Sequence, residues 1–234
     1  MAATGPMTVA AILVAAGSGQ RLGAGVPKAF VEVAGRTLLE HAAARFTTHP
    51  AVRSVLVVAP AAQVAEAARL TGVRAVAGGA TRQESVACGL AALPEEAEFV
   101  LVHDVARPFV PEAVVSAVIA ALAGGAGAVV PVVPVHDTVR QILESGALGP
   151  VVDRSSLAAV QTPQGFRRDV LAAAHRAAAP GATDDAMLVE ALGHSVEPVT
   201  GADESFKITT AADLARPRAL ALLSAESPPG GEVS

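Results

Sequence analysis

The residues from Ala10 to Lys28, AAILVAAGSGQRLGAGVPK, restrict the possible folds more than any other part of the chain. An apolar run with the length of a buried strand breaks into a glycine-rich loop, which carries Arg21 and closes on Pro27-Lys28. Glycines let a backbone approach a ligand closely and adopt positive φ. Successive N–H groups in such a loop form a nest for anionic oxygens, to which Arg21 and Lys28 add full positive charge. That is the chemistry of a nucleotide-phosphate site rather than of a strand running into a flexible turn.

Two familiar phosphate loops do not fit. The G-K-[ST] ending of the Walker loop is missing, and the glycines at 17, 19 and 23 fall one residue too late for G-x-G-x-x-G. The strand expected over Ser54 to Ala59 runs into Pro60 and offers no acid to hold a ribose hydroxyl. Both points oppose a dinucleotide-dependent oxidoreductase.

Beyond the loop the pattern alternates. Helices are expected from Thr37, as N-cap, to about Phe46, from Pro60 to Leu70, from the capping box Thr81-Arg82-Gln83-Glu84 to Leu93, and from Pro111 to Ala123. Strands are expected at Ser54 to Ala59, Val73 to Ala77, Phe99 to His103 and Ala128 to Val133. Alternation of this kind predicts an α/β fold, Rossmann-like, in three layers around a mostly parallel sheet. It then stops. Val135 to Leu143 and Pro150 to Arg154 read as a β-hairpin around a turn at Glu144 to Gly149, protruding as an arm over about residues 135–155. Helices at Arg167 to Ala178 and Asp184 to Leu192, the second closed by Gly193, precede short strands at Ser195 to Val199 and Ser205 to Ile208. A last helix begins at Thr210, with Asp213 at the box position. No linker divides the chain, so residues 1–225 read as one domain and 226–234, rich in Pro, Gly and acids, as a disordered tail.

Composition narrows the function. A net charge of −5 argues against a broad nucleic-acid surface, and no apolar run reaches the length of a membrane span. Met1 to Thr8 has no basic start of a signal peptide, and one cysteine, Cys88, excludes an internal disulfide; a cytoplasmic setting is expected, with Cys88 as a small core residue. Of 17 Lys and Arg residues only Lys28 and Lys207 are lysines. Both fall inside motifs, and an ammonium and a guanidinium are not interchangeable at a reacting phosphate.

Four later segments carry candidate chemistry. Val102-His103-Asp104-Val105-Ala106-Arg107-Pro108 ends a strand, on the sheet edge where α/β folds bind ligands. An acid there suits Mg²⁺, which usually takes one or two carboxylates plus phosphate oxygens. The bland alternative has Asp104 capping a turn and pairing with Arg107; His103 reads as a structural histidine. His136-Asp137-Thr138-Val139-Arg140 and Val152-Asp153-Arg154 lie on the hairpin. Gln161-Thr162-Pro163-Gln164-Gly165-Phe166 alone would be a turn, and Phe206-Lys207-Ile208-Thr209 alone a strand.

The opening A-A-G-x-G-x-R…P-K resembles the sugar- and alditol-phosphate nucleotidyltransferases. With G-G-x-x-R-x-x-S-V, H-D-x-A-R-P, D-T, D-R, T-P-Q, T-D-[DE] and K-x-T in this order, the chain closely resembles the 2-C-methyl-D-erythritol 4-phosphate cytidylyltransferases of the non-mevalonate isoprenoid pathway, over roughly Val9 to Leu223. Ribitol-5-phosphate cytidylyltransferases share most of these motifs and supply the rival acceptor. The resemblance implies an enzyme that transfers CMP from CTP to methylerythritol phosphate with release of pyrophosphate. It implies a nucleotide pocket at Ala15, Ala16, Gly17, Gly19, Gly79 and Ser85. Arg21, Lys28 and Lys207 would be the catalytic cations, Arg21 and Lys28 holding the triphosphate, and Asp104 would support Mg²⁺. Arg107, Thr138, Arg154, Thr162 and Lys207 would bind the acceptor. It also implies a homodimer whose hairpin arms are exchanged, so that Thr138 and Arg154 act in trans.

The chain departs from the family pattern at several places. Leu22 replaces the commoner Met, Ala29 a frequent Gln, and Ala80 an Asp after Gly-Gly. Ser205 replaces a frequent Asn beside Asp203 and Glu204, which leaves a second metal carboxylate there open. The mechanism implied needs no acid–base residue, because the attacking phosphate is already ionised; in-line positioning and cationic stabilisation carry it. A nucleotide-binding regulatory module without turnover is opposed by the cations Arg21, Lys28, Arg107, Arg154 and Lys207 beside an acid placed for a metal. No fused second enzyme is evident, and the chain reads as monofunctional.

Overall fold

The computed structural model describes residues 7–16, 26–178, 181–182 and 184–215. The chain opens with β1 (Val9–Val14), followed by β2 (Glu32–Val33), β3 (Arg36–Thr37), α1 (Leu38–Thr47), β4 (Val52–Ala59), α2 (Val64–Thr71), β5 (Arg74–Ala77), α3 (Arg82–Ala92), β6 (Phe99–Asp104), α4 (Glu112–Ala123) and β7 (Ala128–Pro134). Then come β8 (Val139–Ile142), β9 (Leu148–Val152), β10 (Ala158–Val160), β11 (Gln164–Arg167), α5 (Arg168–Ala177), α6 (Asp185–Ala191) and β12 (Glu197–Thr200).

Eight strands form one sheet in the order β10-β7-β11-β6-β1-β4-β5, with β12 also pairing β7. β1 lies parallel between β4 and β6, and its sequence is apolar throughout because helices cover the sheet on both faces there. Its side chains alternate between two cores. Val9, Ala11 and Leu13 pack with α1 and α4 residues such as Phe46 and Val118, while Ala10 and Ile12 pack with α3 and α5 residues such as Val86 and Leu171. Helices therefore cover both faces, as the alternation predicts.

Helix starts follow the capping chemistry of the sequence. Thr37 Oγ1 accepts from the Glu40 N–H at 3.2 Å, and the Glu40 carboxylate accepts from the Thr37 N–H at 2.8 Å. Thr81 and Glu84 repeat the box at α3, with distances of 3.1 and 3.2 Å. Asp184 caps α6 through the Met187 N–H at 2.9 Å. The hairpin is present as β8 and β9, antiparallel in a two-stranded sheet of their own.

Three expectations need correction. The segment around Gln164 is not merely a turn: β11 runs antiparallel between β6 and β7 in the middle of the sheet. Gly165 makes this possible, because a Cβ there would lie 2.4 Å from Val118 Cγ1 on α4. Ser205 to Ile208 is not a strand. A single 3₁₀ turn at Asp203–Ser205 leads into extended chain, which is pinned by hydrogen bonds rather than by a ladder. Cys88 is exposed on α3, not in the core, since the buried face of that helix is Ser85, Val86, Gly89 and Leu90. The β2–β3 hairpin also went unforeseen. Its turn places Ala34 at φ 51° and Gly35 at φ 74°, the positive-φ pair of a tight hairpin, without the usual Asn or Asp to announce it. The tail 226–234 and most of the helix expected after Thr210 lie outside the described residues.

Candidate active site

A cleft of about 670 Å³ opens at the carboxyl ends of β1 and β6. This is the edge at which α/β sheets bind ligands. Ala15 and Ala16 continue β1 into it, and the Ala15 N–H donates to the Val58 carbonyl at 2.8 Å, which holds the first loop residues against β4. Gly79 and Ser85 line the opposite wall. A Cβ on Gly79 would sit 2.3 Å from Glu84 Cβ, and one on Gly78 would sit 2.8 Å from Ala16 Cβ, so the wall stays narrow only with glycine at both places. Ser85 Oγ donates to the Thr81 carbonyl at 2.8 Å, anchoring the first turn of α3. Gly17, Gly19 and Arg21 lie outside the described residues.

The charged groups converge on Asp104, the last residue of β6. Lys207 Nζ donates to its Oδ2 at 2.7 Å, and Arg82 Nε donates to its Oδ1 at 3.1 Å. Burial opposes ionisation of Asp104, but the positive charges of Arg82 and Lys207 overcome it and hold the carboxyl well below the usual carboxylate range. Arg82 in turn donates to Asp185 Oδ2 at 2.7 Å. Burial disfavours its charge, yet the two carboxylates more than compensate and raise its pKa. Asp104 therefore pairs with Arg82 and Lys207 rather than with Arg107.

Lys28 lies on the near side of the cleft and donates from Nζ to the Ile208 carbonyl at 2.6 Å. The Ile208 N–H donates to the Ala106 carbonyl at 2.8 Å. The two lysines of the chain thus reach one site from opposite ends of the sequence. Arg107 stands behind them. Its Nη1 donates to the Ser205 carbonyl at 2.7 Å and its Nη2 to the Val160 carbonyl at 3.2 Å, stapling the Lys207 segment to β10.

His103 is structural, as expected. It is fully buried, and its hydrogen bonds assign the tautomer: Nε2 donates to the Arg107 carbonyl at 3.1 Å, and Nδ1 accepts from the Thr162 hydroxyl at 3.0 Å. Thr162 Oγ1 also accepts from the Asp104 N–H at 3.1 Å. Thr162 is buried and does not line the cleft. Thr138 and Arg154 are exposed on the hairpin and do not line it either; Arg154 donates to the His136 carbonyl.

The donor set fits Mg²⁺ in one way only. Among the described residues no group of three His, Cys, Asp or Glu could cage a metal, and Asp203 and Glu204 are exposed away from the cleft. One ionised carboxylate in a cleft with cations for phosphate matches Mg²⁺ carried largely by substrate oxygens. Sequence reasoning placed Asp104, Lys28 and Lys207 here, but gave no role to Arg82 or Asp185. Their signal was present in two motifs, G-G-x-x-R and T-D-[DE], with nothing to join them.

A three-layer sheet with a cation-rich, glycine-walled cleft at its carboxyl edge defines an α/β nucleotidyltransferase. The particular family follows from comparison. The family model described as IspD: 2-C-methyl-D-erythritol 4-phosphate cytidylyltransferase matches residues 9–223, and the chain belongs to that family. A relative of that name from Saccharopolyspora erythraea is 51% identical over 217 residues, covering 89% of this chain and 97% of its own length. Another from Streptomyces coelicolor is 47% identical over 224 residues, 89% of this chain and 83% of that protein. The crystal structure of 2-C-methyl-D-erythritol 4-phosphate cytidylyltransferase from Thermus thermophilus superposes with a TM-score of 0.79 at 45% identity, over 92% of this chain and 100% of that one.

Proposed function

We propose that the chain transfers CMP from CTP to 2-C-methyl-D-erythritol 4-phosphate, forming 4-diphosphocytidyl-2-C-methyl-D-erythritol and pyrophosphate. Family membership carries the substrate pair, and the observation that best supports the chemistry is the meeting of Lys28, Lys207, Arg82 and Asp104 on one cleft. An oxygen of the acceptor phosphate attacks the α-phosphorus, and the bond from that phosphorus to the bridging oxygen of pyrophosphate breaks. The nucleophile arrives ionised, so no side chain needs to remove a proton. Lys28 and Arg21 bear on the triphosphate and stabilise the charge that builds on the α-phosphoryl oxygens. Lys207 holds the acceptor phosphate in line. The narrow wall at Ala15, Ala16, Gly79 and Ser85 takes the cytosine and ribose, together with Gly17 and Gly19. When bound, Mg²⁺ supplies neutralising charge on the triphosphate, and Asp104, whose two oxygens already accept from Arg82 and Lys207, would hold it through a remaining lone pair.

The remaining acceptor contacts come, in this reading, from a second copy. Ile142, Leu148 and Val151 are large apolar side chains exposed on the hairpin. A lone two-stranded hairpin is marginal in water without a surface to cover it. Exchange of hairpins in a homodimer covers it and brings Thr138 and Arg154 to the partner's cleft, with Arg107 and Thr162 supporting the acceptor side from within. An exposed free thiol at Cys88 suits a reducing cytoplasm. Ribitol 5-phosphate, the other acceptor weighed, is not favoured by the named relatives. Pyrophosphate release from CTP, measured side by side with the two acceptors, tests the reading: turnover should need methylerythritol phosphate, and equal or better turnover with ribitol 5-phosphate would reverse it.

A further inference from the structure

Behind the wall of the cleft lies a buried acid with no part in the chemistry described so far. Asp185 is 1% exposed and does not line the cleft. Its neighbour Asp184 has an evident duty as the cap of α6, accepting from the Met187 N–H. Asp185 is instead fixed from three directions. Its N–H donates to Gln164 Oε1 at 3.2 Å, His175 Nε2 lies 3.0 Å from its Oδ1, and Arg82 Nη1 donates to its Oδ2 at 2.7 Å. Arg82 reaches the other way with Nε to Asp104 Oδ1, while Lys207 holds Asp104 Oδ2. Each oxygen of Asp104 thus has its own cation.

That division is not what an arginine does when left alone with a carboxylate. The guanidinium is a planar fork whose preferred pairing is bidentate, one nitrogen on each oxygen. A fork closed on Asp104 would compete with Lys207 for Oδ2. Asp185 opposes this by anchoring Nη1, which fixes the plane of the guanidinium so that Nε alone, and not its fork neighbour Nη2, bonds Asp104. We propose that Asp185 is a positioning residue for cytidylyl transfer: by holding one end of Arg82 it reserves one oxygen of Asp104 for Lys207, and so sets where the Lys207 ammonium meets the acceptor phosphate.

The inference rests on the function proposed above, and its test separates the two. If the wild-type chain gives no pyrophosphate from CTP and methylerythritol phosphate, that reading fails, whatever Asp185 does. With wild-type turnover in hand, Asp185→Asn should raise KM for the acceptor about tenfold. The Kd for CTP, measured by calorimetry, should stay within twofold at undiminished stoichiometry. A merely structural loss would lower the stoichiometry and leave the acceptor KM alone. In a Lys207→Ala background Asp185→Asn should add nothing further to the acceptor KM. An acceptor KM within twofold of wild type, or a full tenfold rise persisting without Lys207, overturns the proposal. Should Asp185→Asn fail to fold, Arg82→Lys takes its place, since one ammonium can pair with Asp185 or Asp104 but cannot bridge them. The same rise in acceptor KM is expected, and its absence is equally fatal to the proposal.

Discussion

Lys28, on the cleft, and His103, buried beside Asp104, answer to opposite physics. In the proposed mechanism Lys28 stabilises charge that builds on the α-phosphoryl oxygens, and Lys28→Ala should lower kcat by roughly a hundred- to a thousandfold, about 3–4 kcal/mol, with a smaller effect on CTP binding. A raised KM for CTP with unchanged kcat would reduce Lys28 to a binding residue. His103 is kept neutral: burial pushes its pKa down from 6.5 to about 4, against the partial pull of Asp104. Below pH 6.5 the unfolded chain therefore binds a proton that the folded chain refuses. Stability from this group is complete above that pH and falls as pH drops toward 4, by roughly 3 kcal/mol over the interval. Unfolding free energies measured from pH 7 to 4 should show this slope, and His103→Gln should flatten it even if the variant is weaker throughout. At this scale the sequence was readable for Asp104 at the end of a strand and for Lys28 and Lys207 inside their motifs. It was not readable for Arg82 and Asp185, because a pairing across 103 positions leaves no local mark and Arg82 passes as an ordinary first-turn helix residue.

Among the elements, the capping boxes of α1 and α3 were legible because their chemistry is confined to four consecutive residues. β11 was not. Its four residues, Gln164–Arg167, have no alternation to read, and the glycine that looks like a turn is there for packing. Gly165→Ala should cost about 1–3 kcal/mol through overpacking against Val118 on α4. Combining it with Val118→Ala should recover part of that loss, and additive costs in denaturant unfolding would show that the glycine serves the backbone instead. The extended chain after Ser205 was misjudged for the converse reason. Phe-Lys-Ile-Thr has strand character, but its backbone groups are taken by Ala106 and Lys28 rather than by a neighbouring strand.

For the whole molecule, alternation of strand and helix was enough to give the three layers, and the break in that alternation gave the hairpin; the strand order across β10, β11 and β12 depends on long-range pairing and was hidden. The shared-site reading also belongs here. Arg154→Ala and Lys28→Ala chains, each inactive alone, should regain partial activity when mixed and allowed to exchange, because a mixed dimer holds one site with both native residues. Confirmed exchange without recovery would place Arg154 in the site of its own chain. One further consequence comes from the bond between Lys28 and the Ile208 carbonyl, 180 positions apart. A ribosome adding 5–20 residues per second spends roughly ten to forty seconds between making the two. During that time β1, α1 and β4 can already pack, yet the nascent chain has neither Lys207 nor the carbonyl that orients Lys28. In the proposed mechanism a chain stalled before Ser205 lacks Lys207 and the carbonyl that holds Lys28, and so should release no pyrophosphate from CTP.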